Sequence, residues 1–502
     1  MKLKMIAAAV AGLASAGAFA APLPSTTTPD VVFYVGGASA QKQAIEASVA
    51  NQICATPADA AWFVSTNATR TDTNTGGSVN FKEEGMLCLS KASGLGTYSN
   101  KNVLVVYNSF NGSTAGLNQA LSSVASPTEA EATVLSLPCA DGGASTTTIN
   151  GIVARNVSCV ATREVKLGLS DVHPTESVPG ALDETQGRTI ANMKVQFTGL
   201  QGFGVIAGLS GTTADGGNTF NAVNNSYRAL QEQNVADGLL PSSCTPVGIT
   251  NATAACQPTI GKAQYAALIS AEGVSYQTAA TLLPAATGVA AMPLVVERRV
   301  NLSGTQASSN IFFAQTPCQD SVGGNLTPND DSADIAGVYE VRMNPQTGDV
   351  RNNVAGGKAK DGSTASLNFG VISLDNAGTF GTSTKWRFVR LDGQSPDVNN
   401  DGTLDAKNRH ALVDGAWPFA LQMTAIYPKT TTVTTNPLST TGGVFSADDK
   451  TLADTIIAGM TNDIAAINLT GVAHITGSTP STKQARYKRF ADNNCFPLSP
   501  RF

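Results

Sequence analysis

Residues 295–313 read VVERRVNLSGTQASSNIFF, and the rest of the chain is interpreted from this stretch outward. It predicts a short apolar strand (294–296), a polar turn that carries Arg299 and Ser303-Gly304-Thr305, and then a helix. The first turn of a helix has unpaired N–H groups and a partial positive charge. Because hydroxyl groups and an arginine stand beside that helix start, the stretch predicts a cradle for an anion. The same Ser-Gly-Thr sequence is also typical of an ordinary turn.

Three other junctions along the chain have the same chemistry. They are strand 31–35 followed by Gly36-Gly37-Ala38-Ser39, strand 103–107 leading to Gly112-Ser113-Thr114-Ala115-Gly116, and strand 165–169 ending in Ser170-Asp171. The alternation of strands and helices predicts an α/β fold. Taken singly, Ser39 and Thr114 are also typical of helix caps, and Asp171 of a turn.

Length and composition indicate a large core and exclude some partners. The chain has 502 residues, of which 42% are apolar, and a formal net charge of −5. These values predict two lobes. Charged residues make up only 14% of the chain, and no basic face for nucleic acid is expected. An anion can still bind, because helix dipoles and one arginine set the potential inside a cleft.

The N-terminus predicts export. Residues 1–20 have the pattern of a signal peptide, with Lys2 and Lys4, an apolar stretch over 5–16, and Ala18-Phe19-Ala20 before cleavage. The mature chain is expected to begin at Ala21 and to lie in the periplasm or outside the cell. No later stretch is long and apolar enough to cross a bilayer.

Eight cysteines in an exported chain predict disulfides, not metal or redox chemistry. None of them forms a C-x-x-C pair. Their order suggests three local pairs and one long-range pair: Cys54–Cys88, Cys139–Cys159, Cys244–Cys256 and Cys318–Cys495. The sequence by itself leaves other connectivities open.

The four strand-end elements, in this order, resemble the phosphate-binding proteins of bacterial ABC uptake systems, within the type 2 periplasmic-binding-protein superfamily. Apolar segments 193–209 and 367–374 resemble the two lobe crossings of that family, and GAWPFALQMTAIYP (415–428) resembles its C-terminal strand. The resemblance implies a two-lobed α/β fold with long loop insertions. Lobe 1 would comprise 21–200 and 376–502, and lobe 2 would comprise 201–375.

The resemblance also implies a set of ligand contacts. They are Ser39, Ser113 or Thr114, Asp171, Arg299, Ser303, Gly304 and Thr305. Two positions depart from the family pattern, since Ala40 replaces an aromatic residue and Asn301 replaces an acid that pairs the arginine. Chemistry agrees with the assignment, because a carboxylate such as Asp171 repels an anion unless the ligand brings a proton. Hydrogen phosphate or arsenate is therefore favoured over sulfate.

A separate segment, residues 397–408, resembles a calcium-binding loop. Its candidate ligands are Asp397, Asn399, Asp401, Thr403 and Asp405, with Gly402 at the sixth position. Asn408 stands at the twelfth position, where a bidentate acid is expected. The segment predicts either a structural calcium site or a metal-free turn.

Three functions remain open on the sequence. The first is an exported, monomeric solute-binding protein that captures a small inorganic anion, with phosphate foremost and an ABC permease as partner. The second is a secreted phosphatase on the same scaffold, and the third is a cell-surface or matrix protein with a vestigial cleft. No catalytic residue and no cofactor besides calcium is predicted. With three histidines and no H-E-x-x-H, zinc hydrolase chemistry is not expected.

Overall fold

A computed structural model describes most of the mature chain. The described residues are 22–65, 69–71, 78–80, 83–109, 112–125, 131–149, 151–184, 189–209, 211–212, 218–219, 225–244, 253–269, 278–318, 335, 337–362, 364–376, 386–429, 445–462, 470–475 and 484–501. The predicted signal peptide, 1–20, lies outside them. Within these residues, no helix has the length and apolar character that a membrane span requires.

The strands follow the chain as β1 (Val31–Gly37), β2 (Ala61–Ser65), β3 (Thr69–Thr71), β4 (Ser78–Asn80), β5 (Glu83–Leu89), β6 (Asn102–Asn108), β7 (Glu131–Leu135), β8 (Ala144–Ile149), β9 (Ile152–Val157), β10 (Val160–Ser170), β11 (Met193–Gly208), β12 (Gly211–Thr212), β13 (Asn218–Thr219), β14 (Thr259–Ile260), β15 (Leu294–Arg299), β16 (Tyr339–Asn344), β17 (Leu367–Ser373), β18 (Trp386–Phe388), β19 (Arg390–Leu391), β20 (Ala420–Pro428), β21 (Val472–Ala473), β22 (Tyr487–Arg489) and β23 (Leu498–Pro500).

The helices are α1 (Lys42–Ser48), α2 (Ser113–Ala125), α3 (Ser226–Ala236), α4 (Lys262–Ile269), α5 (Ala279–Leu282), α6 (Gly304–Ser309), α7 (Thr347–Gly356), α8 (His410–Asp414) and α9 (Ala447–Asn462). Wider π turns continue α1 over Val49–Ile53 and α6 over Asn310–Ala314. Short 3₁₀ turns lie at Ser39–Gln41, Pro57–Asp59, Gly96–Tyr98, Pro174–Glu176, Ile190–Asn192, Ser242–Cys244 and Phe490–Asp492.

One large mixed sheet organises the molecule, in the order β16-β15-β17-β11-β20-β10-β1-β6-β5-β2-β9-β8. β1 runs parallel to β10 and β6, and β15 runs parallel to β16 and β17. β11 is antiparallel to both of its neighbours, β20 and β17. The predicted α/β class is therefore confirmed.

Strand β11 joins the two lobes. Its first part, up to Gly202, pairs with β20, and the next residues, 203–207, pair with β17. Gly202 is required by close packing, since a Cβ atom there would lie 2.5 Å from the side chain of Leu374. The apolar strand predicted at 193–209 is present, as Met193–Gly208.

Each lobe has its own core. In the first lobe, Val103 and Val105 pack into one cluster and Leu104 and Val106 into another, as expected for a strand whose side chains alternate between two covered faces. The second lobe has one larger cluster around β15 and β17. Buried residues between Trp386 and Leu421 also join this larger cluster, although the sequence-based boundary places 376–502 in the first lobe.

All four suggested disulfides are present: Cys54–Cys88, Cys139–Cys159, Cys244–Cys256 and Cys318–Cys495. The last pair closes a segment of 177 residues and ties the C-terminal part of the chain to the region after α6. Four disulfides are typical of proteins that fold in an oxidising compartment.

Candidate functional site

A polar cavity of about 610 Å³ lies where strand ends from both lobes meet. The first lobe contributes Ser39, Lys42, Ser109, Gly112, Ser113 and Asp171. The second lobe contributes Arg299, Ser303, Gly304, Thr305, residues 345–348, Arg351, Asp375 and Asn376. Apart from Thr114, every residue predicted to contact a ligand lines this cavity.

The topology explains why these distant residues meet. β1, β6 and β10 are parallel neighbours, so their carboxyl ends share one edge of the sheet. β15, β16 and β17 are also parallel, and they end at the cavity from the other lobe. Ligands of open α/β sheets typically bind outside the carboxyl ends of strands.

Asp171 and Ser113 form the centre of the site. Ser113 Oγ donates to Asp171 Oδ2 at 3.1 Å, and the backbone N–H of Asp171 donates to Ser113 Oγ at 3.2 Å. The other carboxylate oxygen, Asp171 Oδ1, is buried and has no hydrogen-bond partner among the described residues. A buried acceptor of this kind needs a donor, and a ligand with a proton would supply one.

Gly304 brings the start of α6 against this pair. A Cβ atom at Gly304 would lie 2.1 Å from Ser113 Oγ and 2.7 Å from Asp171 Oδ2. Only glycine permits this approach. The N-terminal N–H groups of α6 therefore start beside the Asp171 carboxylate.

Burial raises the pKa of Asp171 to about 7. The hydroxyl of Ser113 and the charge of Arg299 lower the pKa, while the neighbouring Asp375 raises it. The carboxyl group therefore exchanges its proton in the neutral range.

Arg299 is the cation of the site. It is the last residue of β15, whereas the sequence predicted it in the following turn. Its side chain donates from Nε to Asn344 O (3.2 Å), from Nη1 to Thr347 Oγ1 (2.7 Å) and from Nη2 to Pro345 O (2.8 Å). These acceptors are neutral, so they do not balance its positive charge, which interacts electrostatically with the carboxyl groups of Asp171 and Asp349.

Asn301, at the position where the resemblance implied an acid that pairs Arg299, contacts a different arginine. Arg298, the adjacent arginine, donates from Nη2 to the side chain of Asn301. Arg299 has no ion pair with a carboxylate among the described residues. Burial lowers its pKa to about 10, so it remains cationic at neutral pH.

Of two further predicted contacts, Thr114 lies away from the cavity and Ser39 lines it. Thr114 is buried next to Ser113, its amide donates to Leu302 O at 2.8 Å, and its hydroxyl lies 3.5 Å from Ser177 Oγ. It does not line the cavity. Ser39 is exposed at the cavity, in a loop held by the Tyr107 hydroxyl, which donates to Ala38 O at 2.6 Å.

Sequence reasoning missed four charged or amide residues that line the cavity. Besides these four, which are Lys42, Arg351, Asp375 and Asn376, the amide residue Gln346 was also missed. Asp375 could have been found, since it follows β17 as Asp171 follows β10. Lys42 pairs with the buried Glu84.

Two residues of the predicted calcium loop bind other groups of the protein. Asp397 accepts from Arg387 Nη2 at 2.7 Å in a fully buried ion pair, and Asp405 Oδ2 accepts from the amides of Arg409 and His410 at 2.6 Å. In the part of the chain that the structure describes, no three acidic, histidine or cysteine residues are grouped to hold a metal. The calcium site at Asp397, Asn399, Asp401, Thr403 and Asp405 stays a prediction.

No protein-family model and no curated protein matches this sequence. Solved structures with a similar chain trace include a phosphate ABC transporter substrate-binding protein with bound phosphate from Clostridium perfringens, with 11% identity, 89% of this chain and 100% of that chain covered, and a TM-score of 0.39. Another is an ABC-type phosphate transport receptor from Vibrio cholerae, with 9% identity and a TM-score of 0.34. The match covers 86% of this chain and 93% of that chain. A third is PstS from Borrelia burgdorferi, with 9% identity and a TM-score of 0.29. The match covers 79% of this chain and 87% of that chain. What binds in the cavity has to be derived from the residues that line it.

Proposed function

We propose that this protein is an exported solute-binding protein that captures a small oxyanion, foremost hydrogen phosphate, between its lobes. The observation that carries the proposal is the unpaired Oδ1 of Asp171, buried in the same cavity as Arg299 and the start of α6. Arg299 and the α6 amides attract the anion, and Asp171 accepts the proton that the anion carries.

The chemistry of Asp171 gives selectivity. Hydrogen phosphate carries a proton at neutral pH and can donate it to Oδ1, whereas sulfate has no proton and meets a carboxylate as an uncompensated like charge. Such discrimination depends on a penalty imposed on the wrong ligand as much as on attraction to the right one.

The two-lobed architecture suggests how the anion is retained. Residues of both lobes line the cavity, and β11 passes between the lobes. An anion that contacts Ser113 and Asp171 on one side and α6 on the other would favour lobe closure by hinge motion at this strand. Delivery to an ABC permease remains a prediction.

Isothermal titration calorimetry with inorganic phosphate tests the proposal. We expect saturable binding of one phosphate per chain, and its loss in Asp171→Ala and Arg299→Ala. Asp237→Ala and Arg486→Ala are matched controls, because both side chains are exposed and lie outside the cavity. Absence of phosphate binding by the folded wild-type protein would refute the proposal.

Two further assays separate the alternative functions. Sustained release of product from an aryl phosphate would indicate a phosphatase, whereas a binding protein gives no turnover. A vestigial cleft would give no thermal stabilisation with any oxyanion, because only a ligand that binds the native state raises the melting temperature.

A further inference from the structure

The geometry points to a ligand larger than inorganic phosphate: a phosphomonoester with a hydroxylated organic part, such as a polyol or sugar phosphate. This inference rests on the proposed function. The phosphoryl group would bind at Asp171 and Arg299, and the hydroxyl groups would bind at Arg351, Asp375 and Asn376.

The size of the cavity favours an organic ligand. Its volume of about 610 Å³ lies within the range of roughly 300–1,000 Å³ that is usual for sites of small organic molecules. A tetrahedral oxyanion of five heavy atoms fills only a small part of this space. Asp171, Ser113 and the start of α6 would hold the phosphoryl group, and the space left over is bordered by the other lining residues, which include Arg351 and Asp375.

Arg351 is a donor that the phosphoryl site does not use. It lines the cavity, and its Nε is buried without a hydrogen-bond partner among the described residues. It stands one turn after Thr347 on α7, and the Thr347 hydroxyl accepts from Arg299 Nη1 at 2.7 Å. Both arginines line the same cavity, so the Nε of Arg351 can bind a second group of one ligand.

Asp375 and Asn376 determine which second group is recognised. Asp375 Oδ1 accepts from Asn376 Nδ2 at 3.0 Å and from the Ser373 hydroxyl. These two hydrogen bonds hold the carboxyl group at the end of β17. A carboxylate and an amide beside a guanidinium offer both acceptors and donors, as a hydroxyl group requires. A second anionic group would be repelled by Asp375.

An apolar organic part fits this end of the cavity poorly. The side chains that line the cavity are charged, amide or hydroxyl-bearing, apart from Pro345 and the glycines. Burying an alkyl group there would remove water from Arg351 and Asp375 without replacing its hydrogen bonds.

Calorimetry with three phosphate ligands at about pH 6, where a protonated Asp171 can donate to a phosphomonoester that has lost its second proton, tests the inference. The ligands are inorganic phosphate, glycerol 3-phosphate and propyl phosphate, of which the last lacks the hydroxyl groups. We expect glycerol 3-phosphate to bind at least about tenfold more tightly than propyl phosphate, since hydrogen bonds to charged groups are worth that much. In Arg351→Gln this ratio should fall towards one, and in Arg486→Gln it should be unchanged.

The ratio is measured within one variant, so a general loss of affinity or stability cancels from it. If inorganic phosphate binds but glycerol 3-phosphate does not, or binds no better than propyl phosphate, the inference is overturned and the proposed function stands. An unchanged ratio in Arg351→Gln also overturns the inference. If none of the three ligands binds, the proposed function fails and the inference fails with it.

Discussion

Asp171→Asn should stabilise the free protein increasingly as the pH rises, while it removes phosphate binding. In the folded protein the pKa of Asp171 is about 7, against an ordinary value of 3.8. The native state therefore keeps a proton that the unfolded state has released. The stability contributed by Asp171 is complete below the unfolded pKa and is lost as the pH rises from about 4 to about 7.

The magnitude follows from the size of the pKa shift. The shift is about 3 pH units, and each unit corresponds to about 1.4 kcal/mol, so the loss at neutral pH is on the order of 4 kcal/mol. Asp171 is only 5% exposed, and solvent screening therefore reduces this value little. Asparagine has almost the same shape, does not titrate, and can still accept the hydrogen bond from Ser113.

Urea unfolding at several values between about pH 4 and pH 8, in buffers free of oxyanions, measures this effect. The free energy of unfolding of Asp171→Asn minus that of wild type should rise with pH and level off above about pH 7. Added phosphate at a hundred times its Kd should stabilise the wild type by about 2.7 kcal/mol and leave the variant unchanged. Asp237→Asn is the control and should follow the wild type. If the free energies of unfolding of Asp171→Asn and wild type change with pH in the same way, the pKa of Asp171 is not raised by burial and the reasoning is refuted.

Two other predictions concern selectivity and packing. Sulfate should compete with phosphate below about pH 7, because a protonated Asp171 can donate to it, and should compete progressively less above that pH. Competition calorimetry measures the Kd of sulfate at each pH. An equal sulfate Kd on both sides of about pH 7 would contradict the prediction. Gly304→Ala should weaken phosphate binding at least tenfold, or about 1.4 kcal/mol, because the added methyl group would collide with Ser113 and Asp171. Gly356→Ala, where a Cβ atom meets nothing within 4 Å, should bind normally; normal binding by Gly304→Ala as well would show that α6 does not approach the anion.

The fold was largely predictable because apolar strands and local turn chemistry are visible in a single sequence. Strand β11 and the α/β class follow from hydrophobic runs and the glycines between them. The packing of residues 386–421 in the second lobe was not predictable. It depends on long-range contacts such as the hydrogen bond from Trp417 Nε1 to Phe203 O at 2.7 Å, which carry no local signal.

At the site, strand-end residues were easier to recognise than helix residues. Ser39, Ser113 and Asp171 each follow an apolar strand, and this pattern brings them to one edge of the sheet. Arg351 lies in the middle of a polar helix, where an arginine facing a cavity has the same sequence context as one facing solvent. Likewise, the choice between Ser113 and Thr114 depends on the direction of each side chain at the start of α2, which neighbouring residues in the sequence do not reveal.

The unpaired groups in the cavity favour a binding site over a vestigial cleft. Buried atoms without a partner among the described residues also occur elsewhere, for example the indole N–H of Trp62, so such an atom alone decides nothing. In the cavity, however, an unpaired acceptor on Asp171 and an unpaired donor on Arg351 lie together with Arg299, whose hydrogen bonds among the described residues go to neutral acceptors. Each unpaired buried group costs about 1–3 kcal/mol, and one ligand with a proton and further oxygen atoms would satisfy all three groups. A cleft without a ligand would be more stable with apolar side chains at these positions, whereas a binding site needs these polar groups.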